Sequence, residues 1–222
     1  MRYHGCMRRT GVLFVLLTAS AATLAAFQST LDPASLSDAI LLGQSTSESA
    51  RANFNAPYHI NVGVSPVDDI EIVTPFRRIV LDAESQARAG NRASYSQRVA
   101  LATLGDDPTR VDIVVELTFH PLNNYIGVPD FAVTLVDQRG TLMQPRTISR
   151  LSRFGPRIGG PSLAYPYTTG TPQVPGKAPL AGGMVIASFD GKAIDANGVY
   201  VVMVTGREGE PAKARVDFSK LR

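Results

Sequence analysis

Residues 110–120 read RVDIVVELTFH, and their pattern decides the fold. Val111, Ile113, Val115, Leu117 and Phe119 alternate with Arg110, Asp112, Glu116, Thr118 and His120, and only Val114 breaks the polar set. A period of two kept over a full strand length turns one face to a core and the other to water. The same signal recurs on both sides. In 58–65 (YHINVGVS) Tyr58, Ile60, Val62 and Val64 point inward, and in 69–73 (DIEIV) Ile70 and Ile72 share a face. Downstream, 130–137, a weaker 141–149, 184–189, 199–205 and 213–218 read as further strands. Residues 199–205 (VYVVMVT) are apolar on both faces, which suits a central strand, and 206–211 turns it into the last one.

Helices interrupt this series early. In 31–43 (LDPASLSDAILLG) Asp32 is a cap, Pro33 suits the first helical position, Leu31 staples onto Leu36, and Gly43 offers a stop. Residues 44–56 are small and polar and read as a connector. From 74 to 105 a helical pair is expected. Thr74 and Pro75 start it, and Phe76, Ile79, Val80, Ala83 and Ala87 share one face. Arg77, Arg78, Asp82, Glu84, Gln86 and Arg88 lie mostly on the other, and the pair is expected against one end or face of the sheet. Gly90 and Asn91 break the pattern, and a second helix over 94–104 carries Tyr95, Val99 and Ala102.

The first 26 of the 222 residues have a different character. Arg2, Arg8 and Arg9 precede an apolar centre at 12–17 (VLFVLL), which fades into small residues up to Ala26. This is the pattern of a secretory signal peptide cleaved after Ala25 or Ala26. The apolar stretch 10–26 is short and diluted for a membrane span, which needs about 20 mostly apolar residues. The chain carries 22 basic and 19 acidic residues; the leader holds three arginines and no acid, so the remainder has 19 of each. A neutral mature chain argues against a nucleic-acid partner. The one cysteine, Cys6, lies in the leader, leaving no disulfide, thiolate ligand or cysteine nucleophile.

Together these features predict a mainly β chain: a signal peptide at 1–26, an N-terminal helix and linker at 27–56, and an antiparallel β-sandwich over 57–222. A helical insertion at 75–104 and a long Pro/Gly loop at 155–183 complete it. Residues 195–200 (DANGVY), followed by an apolar strand and a hairpin, resemble the tyrosine corner of immunoglobulin-like domains. The resemblance implies that Tyr200 hydrogen-bonds back at one end of the sandwich. Here the Asp stands five residues before the Tyr rather than four, and the paired cysteines and core tryptophan of those domains are absent. Residues 74–81 (TPFRRIVL) resemble a motif of uncharacterised secreted bacterial proteins, which implies secretion and no particular activity.

No catalytic constellation, cofactor motif or metal-ligand spacing stands out. His59 and His120 are the only histidines after the leader, and four residues of strand, about 13 Å, separate His120 from Glu116. There is no G-x-S-x-G, which makes a hydrolase the most distant reading. Asp68 with Asp69 and Asp106 with Asp107 adjoin prolines in turns, where hydrogen bonding to the turn explains them. Arg139, Arg146, Arg150, Arg153 and Arg157 form a basic stretch that suits either a charged strand edge or an acidic polymer. The 155–183 loop holds six prolines, seven glycines, and Tyr165 and Tyr167, with Tyr125 expected nearby. A loop of this length is more often functional than merely connecting. The candidate contacts are therefore Tyr165, Tyr167, Arg150, Arg153 and Arg157. The expected role is a non-enzymatic interaction or structural module of the cell envelope, periplasmic or extracellular, with an envelope protein or glycan as partner. The alternative is a carbohydrate- or small-ligand-binding protein using the same loop. Membrane contact is expected only through the leader.

Overall fold

A computed structural model describes residues 27–154, 180–207 and 209–222. In chain order it runs α1 (Pro33–Gly43), α2 (Glu48–Asn55), β1 (His59–Val64), β2 (Val67–Val73), α3 (Pro75–Arg88), α4 (Gln97–Leu104) and β3 (Arg110–Thr118). It continues with β4 (Ala132–Val136), β5 (Leu142–Met143), β6 (Thr147–Phe154), β7 (Leu180–Asp190), β8 (Val199–Thr205) and β9 (Ala212–Asp217). The strands form two antiparallel sheets, ordered β1-β2-β3-β7-β6 and β5-β4-β8-β9, so the architecture is mixed α and β.

The alternation in β3 sets the first layer boundary. Ile113 faces Ile72 on one side and Ala187 on the other, and Val115 likewise sits between Ile70 and Val185. This apolar face shares one core with Val133 and Leu135 of β4, Val202 and Val204 of β8, and Ala214 and Val216 of β9. As its two-sided apolar sequence predicts, β8 lies inside its sheet, between β4 and β9. Tyr200 closes one end: its hydroxyl accepts a hydrogen bond from the Asp195 N–H at 2.9 Å, and its ring meets Phe218 edge-on. Phe27 is buried in the same core against Phe218, which makes the 27–56 segment part of the fold rather than a separate linker.

The polar face of β3 is where the structure departs from expectation. Thr118 and His120 are exposed and Arg110 and Glu116 half-buried, but over Asp112 and Val114 this face does not meet water; α3 lies across it. Leu81 packs on Val73, Val114 and Met184, while Arg78 reaches Asp112 with Nη2–Oδ2 at 3.2 Å and also donates to the Arg110 carbonyl at 2.8 Å. Ser188 and Arg110 complete the Asp112 shell at 2.7 and 3.0 Å. Arg78 is 0% exposed and Asp112 1%. Of the polar residues opposite the apolar face of the helix, Arg77 and Arg78 are buried against the sheet, while Glu84 and Gln86 are half-buried and Arg88 is exposed. The opposite face, Phe76, Ile79, Val80 and Ala83, packs on α1 and α4 to form a second core. Asp82 is covered too, accepting from the Tyr95 and Thr103 hydroxyls at 2.7 and 2.6 Å.

Local signals placed the helix starts well. The Asp32 carboxylate accepts the Ser35 N–H at 2.7 Å, and Thr74 Oγ1 accepts the Arg77 N–H at 3.2 Å. Gly43 ends α1 for a different reason than a left-handed turn. A Cβ there would stand 2.3 Å from the Val80 carbonyl and 2.7 Å from the Ala83 Cβ, so α1 and α3 touch backbone to backbone. Three boundaries need correction. The expected connector at 44–56 holds α2, capped by Ser47. The single strand expected at 141–149 is β5 and β6, in different sheets. The last four residues of the expected 155–183 loop belong to β7, and 155–179 lie outside the described residues. In α4, Val99 is exposed and Ala100 and Leu104 are buried instead.

Removing one partner of a buried ion pair strands the other charge, which costs roughly 3–5 kcal/mol. Asp112→Ala is expected to lower unfolding free energy by about that amount in urea titration. Arg88→Ala, which breaks the exposed pair with Glu84, is expected to change it by less than about 0.5 kcal/mol.

Candidate functional site

The link between β3 and β4 forms the clearest surface feature among the described residues. Beyond β3, Phe119 stays tied to the sheet through its N–H to the Ala181 carbonyl at 3.0 Å. Asn123 then pins the link, its side-chain amide donating to the His120 and Leu180 carbonyls at 2.7 and 2.9 Å. His120 Nδ1 accepts the Leu122 N–H at 3.1 Å, Asn123 Oδ1 accepts the Tyr125 N–H at 3.0 Å, and Tyr125 packs edge-on against Phe119. These bonds hold the backbone while leaving two aliphatic side chains outside: Leu122 is 87% and Ile126 98% exposed. Ile126 borders an open cavity of about 600 Å³, lined also by Pro66, Tyr125, Val128, Phe131 and Arg207. Asp130 at its rim is shared by Arg150 at 3.4 Å and Arg207 at 3.3 Å. This wall offers apolar area and one bridged carboxylate.

Two of the five expected contact residues are described. Arg150 flanks this end through Asp130, whereas Arg153 turns inward across the sheet, donating to the Leu117 carbonyl and the Thr118 hydroxyl at 3.1 Å each. Both lie on β6, which among the described residues is the outermost strand of its sheet. Arg146 is spent on Asp107 and Asp190. Arg157, Tyr165 and Tyr167 lie outside the described residues. Tyr125, expected as a neighbour of the loop, is part of the cavity wall. The sequence reading missed Leu122 and Ile126. The available signal was three large apolar residues within PLNNYIGVP, a turn-rich segment with no period to bury them.

A second cluster gathers titratable groups around Arg77. Its guanidinium donates to the Ile72 carbonyl at 2.6 Å, to Asn55 Oδ1 at 3.2 Å and to the Glu71 carboxylate, meets His59 Nε2 at 2.9 Å, and lies over the Tyr58 ring. Burial pushes the Glu71 carboxyl up to about 7, against the opposing pull of Arg77. Burial, reinforced by Arg77, pushes His59 down to about 4. Every side-chain nitrogen of Arg77 has a partner, so the cluster ties α2, β1, β2 and α3 together. Among the described residues no three His, Cys, Asp or Glu side chains are placed to hold a metal ion, and no helix is long and apolar enough to cross a membrane.

The two shifts act on stability with opposite signs. Glu71 has a raised folded pKa, so its contribution is lost as pH rises from about 4.5 to 7. His59 has a lowered one, so its contribution is lost as pH falls from about 6.5 to 4. Between about 4.5 and 6.5 they offset. In melting curves across this range, the Tm of Glu71→Gln relative to the parent should climb with pH, and that of His59→Gln should decline. Parallel curves for all three proteins would contradict the assignment.

Comparison with protein-family models, with curated proteins and with solved structures finds no match to this chain.

Proposed function

We propose that this chain is a non-enzymatic, exported interaction module of the cell envelope that meets its partner through the end of the molecule built by the β3–β4 link. The observation that carries the reading is the display of Leu122 and Ile126 on a backbone fixed by Asn123. Exposed aliphatic side chains on a pinned loop lower the entropic cost of docking, because little remains to be ordered on contact. Export rests on the 1–26 leader pattern. On the same reading the two sheets form an immunoglobulin-like sandwich, supported by the shared inter-sheet core and the Tyr200 bond to Asp195.

The cavity supports a second reading, a small-ligand or carbohydrate site, since about 600 Å³ falls within the usual range for such sites. One variant separates the two. Leu122→Ser with Ile126→Ser removes the protruding surface and, of the cavity lining, only the Ile126 side chain, leaving Tyr125, Val128, Phe131 and Arg207 in place. Both positions are exposed, so unfolding free energy should stay within about 0.5 kcal/mol of the parent. Immobilised parent protein should retain a defined envelope component that the double variant holds at least about tenfold less well. If both proteins retain the same components equally, the link is not the contact surface. A thermal shift with small saccharides that survives in the double variant would favour the ligand reading.

A further inference from the structure

Among the described residues the outer side of β6 is a sheet edge, regular up to a register shift between Arg153 and Phe154. Among the described residues no strand pairs there, although β6 runs for eight residues and keeps register with β7 from Thr147 to Arg153. The other edges are managed differently. At the far end of the same sheet β1 has six residues, a register shift between Asn61 and Val64, and contact with β9 of the second sheet. On the β6 side the second sheet ends in β5, only two residues long. A long flat edge turns alternate backbone N–H and C=O groups outward, ready to pair with another chain.

The charges on β6 decide which chain. Arg150 stands opposite Val185, on the face shared with the inter-sheet core, and Arg153 falls on the other face with Leu151. The partner of Arg150 is the exposed Asp130 at 3.4 Å, a contact worth little in water, and Arg153 bonds to a carbonyl and a hydroxyl. Two β6 edges brought together would set arginine near arginine, so the edge is biased against a second copy. We propose that β6 accepts an extended, acidic segment of a partner protein as an added strand. The arginines lie on opposite faces three positions apart, so the complementary segment carries two carboxylates at that same odd spacing, one for each face. Main-chain pairing supplies the attraction and the carboxylates set the register. This does not rest on the loop-end contact: Leu122 and Ile126 take no part in it.

The test uses a fluorescein-labelled Thr/Val peptide bearing two glutamates three positions apart, titrated with the parent protein and read by anisotropy. The peptide should bind, and Arg150→Glu with Arg153→Glu should weaken it about tenfold or more while a lysine version of the peptide regains affinity for that variant. The Leu122→Ser/Ile126→Ser protein should bind the peptide as the parent does. Absence of binding to the parent overturns the proposal. So does equal binding of a peptide N-methylated at alternate amides, or of one with the glutamates two positions apart. A parent dimer that Ser149→Pro dissociates would make the occupant a second copy, and the proposal would fail on that ground too.

Discussion

Two adjacent arginines hidden under α3 hold the layers of this protein in place. Arg77 and Arg78 leave the same turn of helix; one is anchored on Glu71 of β2 and the other on Asp112 of β3. A buried cation is tolerable only beside a countercharge with good hydrogen-bond geometry. The helix therefore has one position on the sheet, and sliding by a residue would part both pairs at once. Such pairs are weak evidence for added stability, since desolvation offsets much of the attraction. They are better understood as fixing register. Consistent with a demanding arrangement, Arg78 Nε and Nη1 and Glu71 Oε2 have no hydrogen-bond partner among the described residues.

From this anchoring follows the division of the surface. With α3 on one face and the second sheet on the other, the five-stranded sheet is covered over its middle. Its contacts with the outside are left to the strand ends and the margins. The β3–β4 link leaves at one such end, close to where β7 begins, and displays aliphatic side chains that no layer reaches. Among the described residues the margin at β6 carries arginines and no covering element. The proposed contact regions are what remains once the layers have been assigned.

Much of the architecture was legible in the chain. The period of two located the strand faces, Asp32–Pro33 and Thr74–Pro75 located helix starts, and the doubly apolar 199–205 stretch marked an interior strand. What stayed hidden has a common cause. Reading charge as solvent exposure is sound for one element taken alone. Here Arg78 and Asp112, separated by 34 residues, face each other, and each makes the other's burial possible. Nothing within either segment reveals that complementarity. Likewise the basic stretch was visible as a unit, but its members divide on folding: Arg146 goes to Asp107 and Asp190, Arg150 to Asp130, and Arg153 across the sheet.

Gly43 has a mechanical consequence. Where side chains separate two helices, small rotamer changes let one shift against the other. With α1 meeting the α3 main chain at Val80 and Glu84, no such cushion exists. The two helices behave as one stiff lever whose inner end carries Arg77 and Arg78. A load applied to the outer flank of α1, at Leu41 or at Asp38 where Arg222 is attached, is not absorbed within the helical layer. It passes to the carboxylates of β2 and β3.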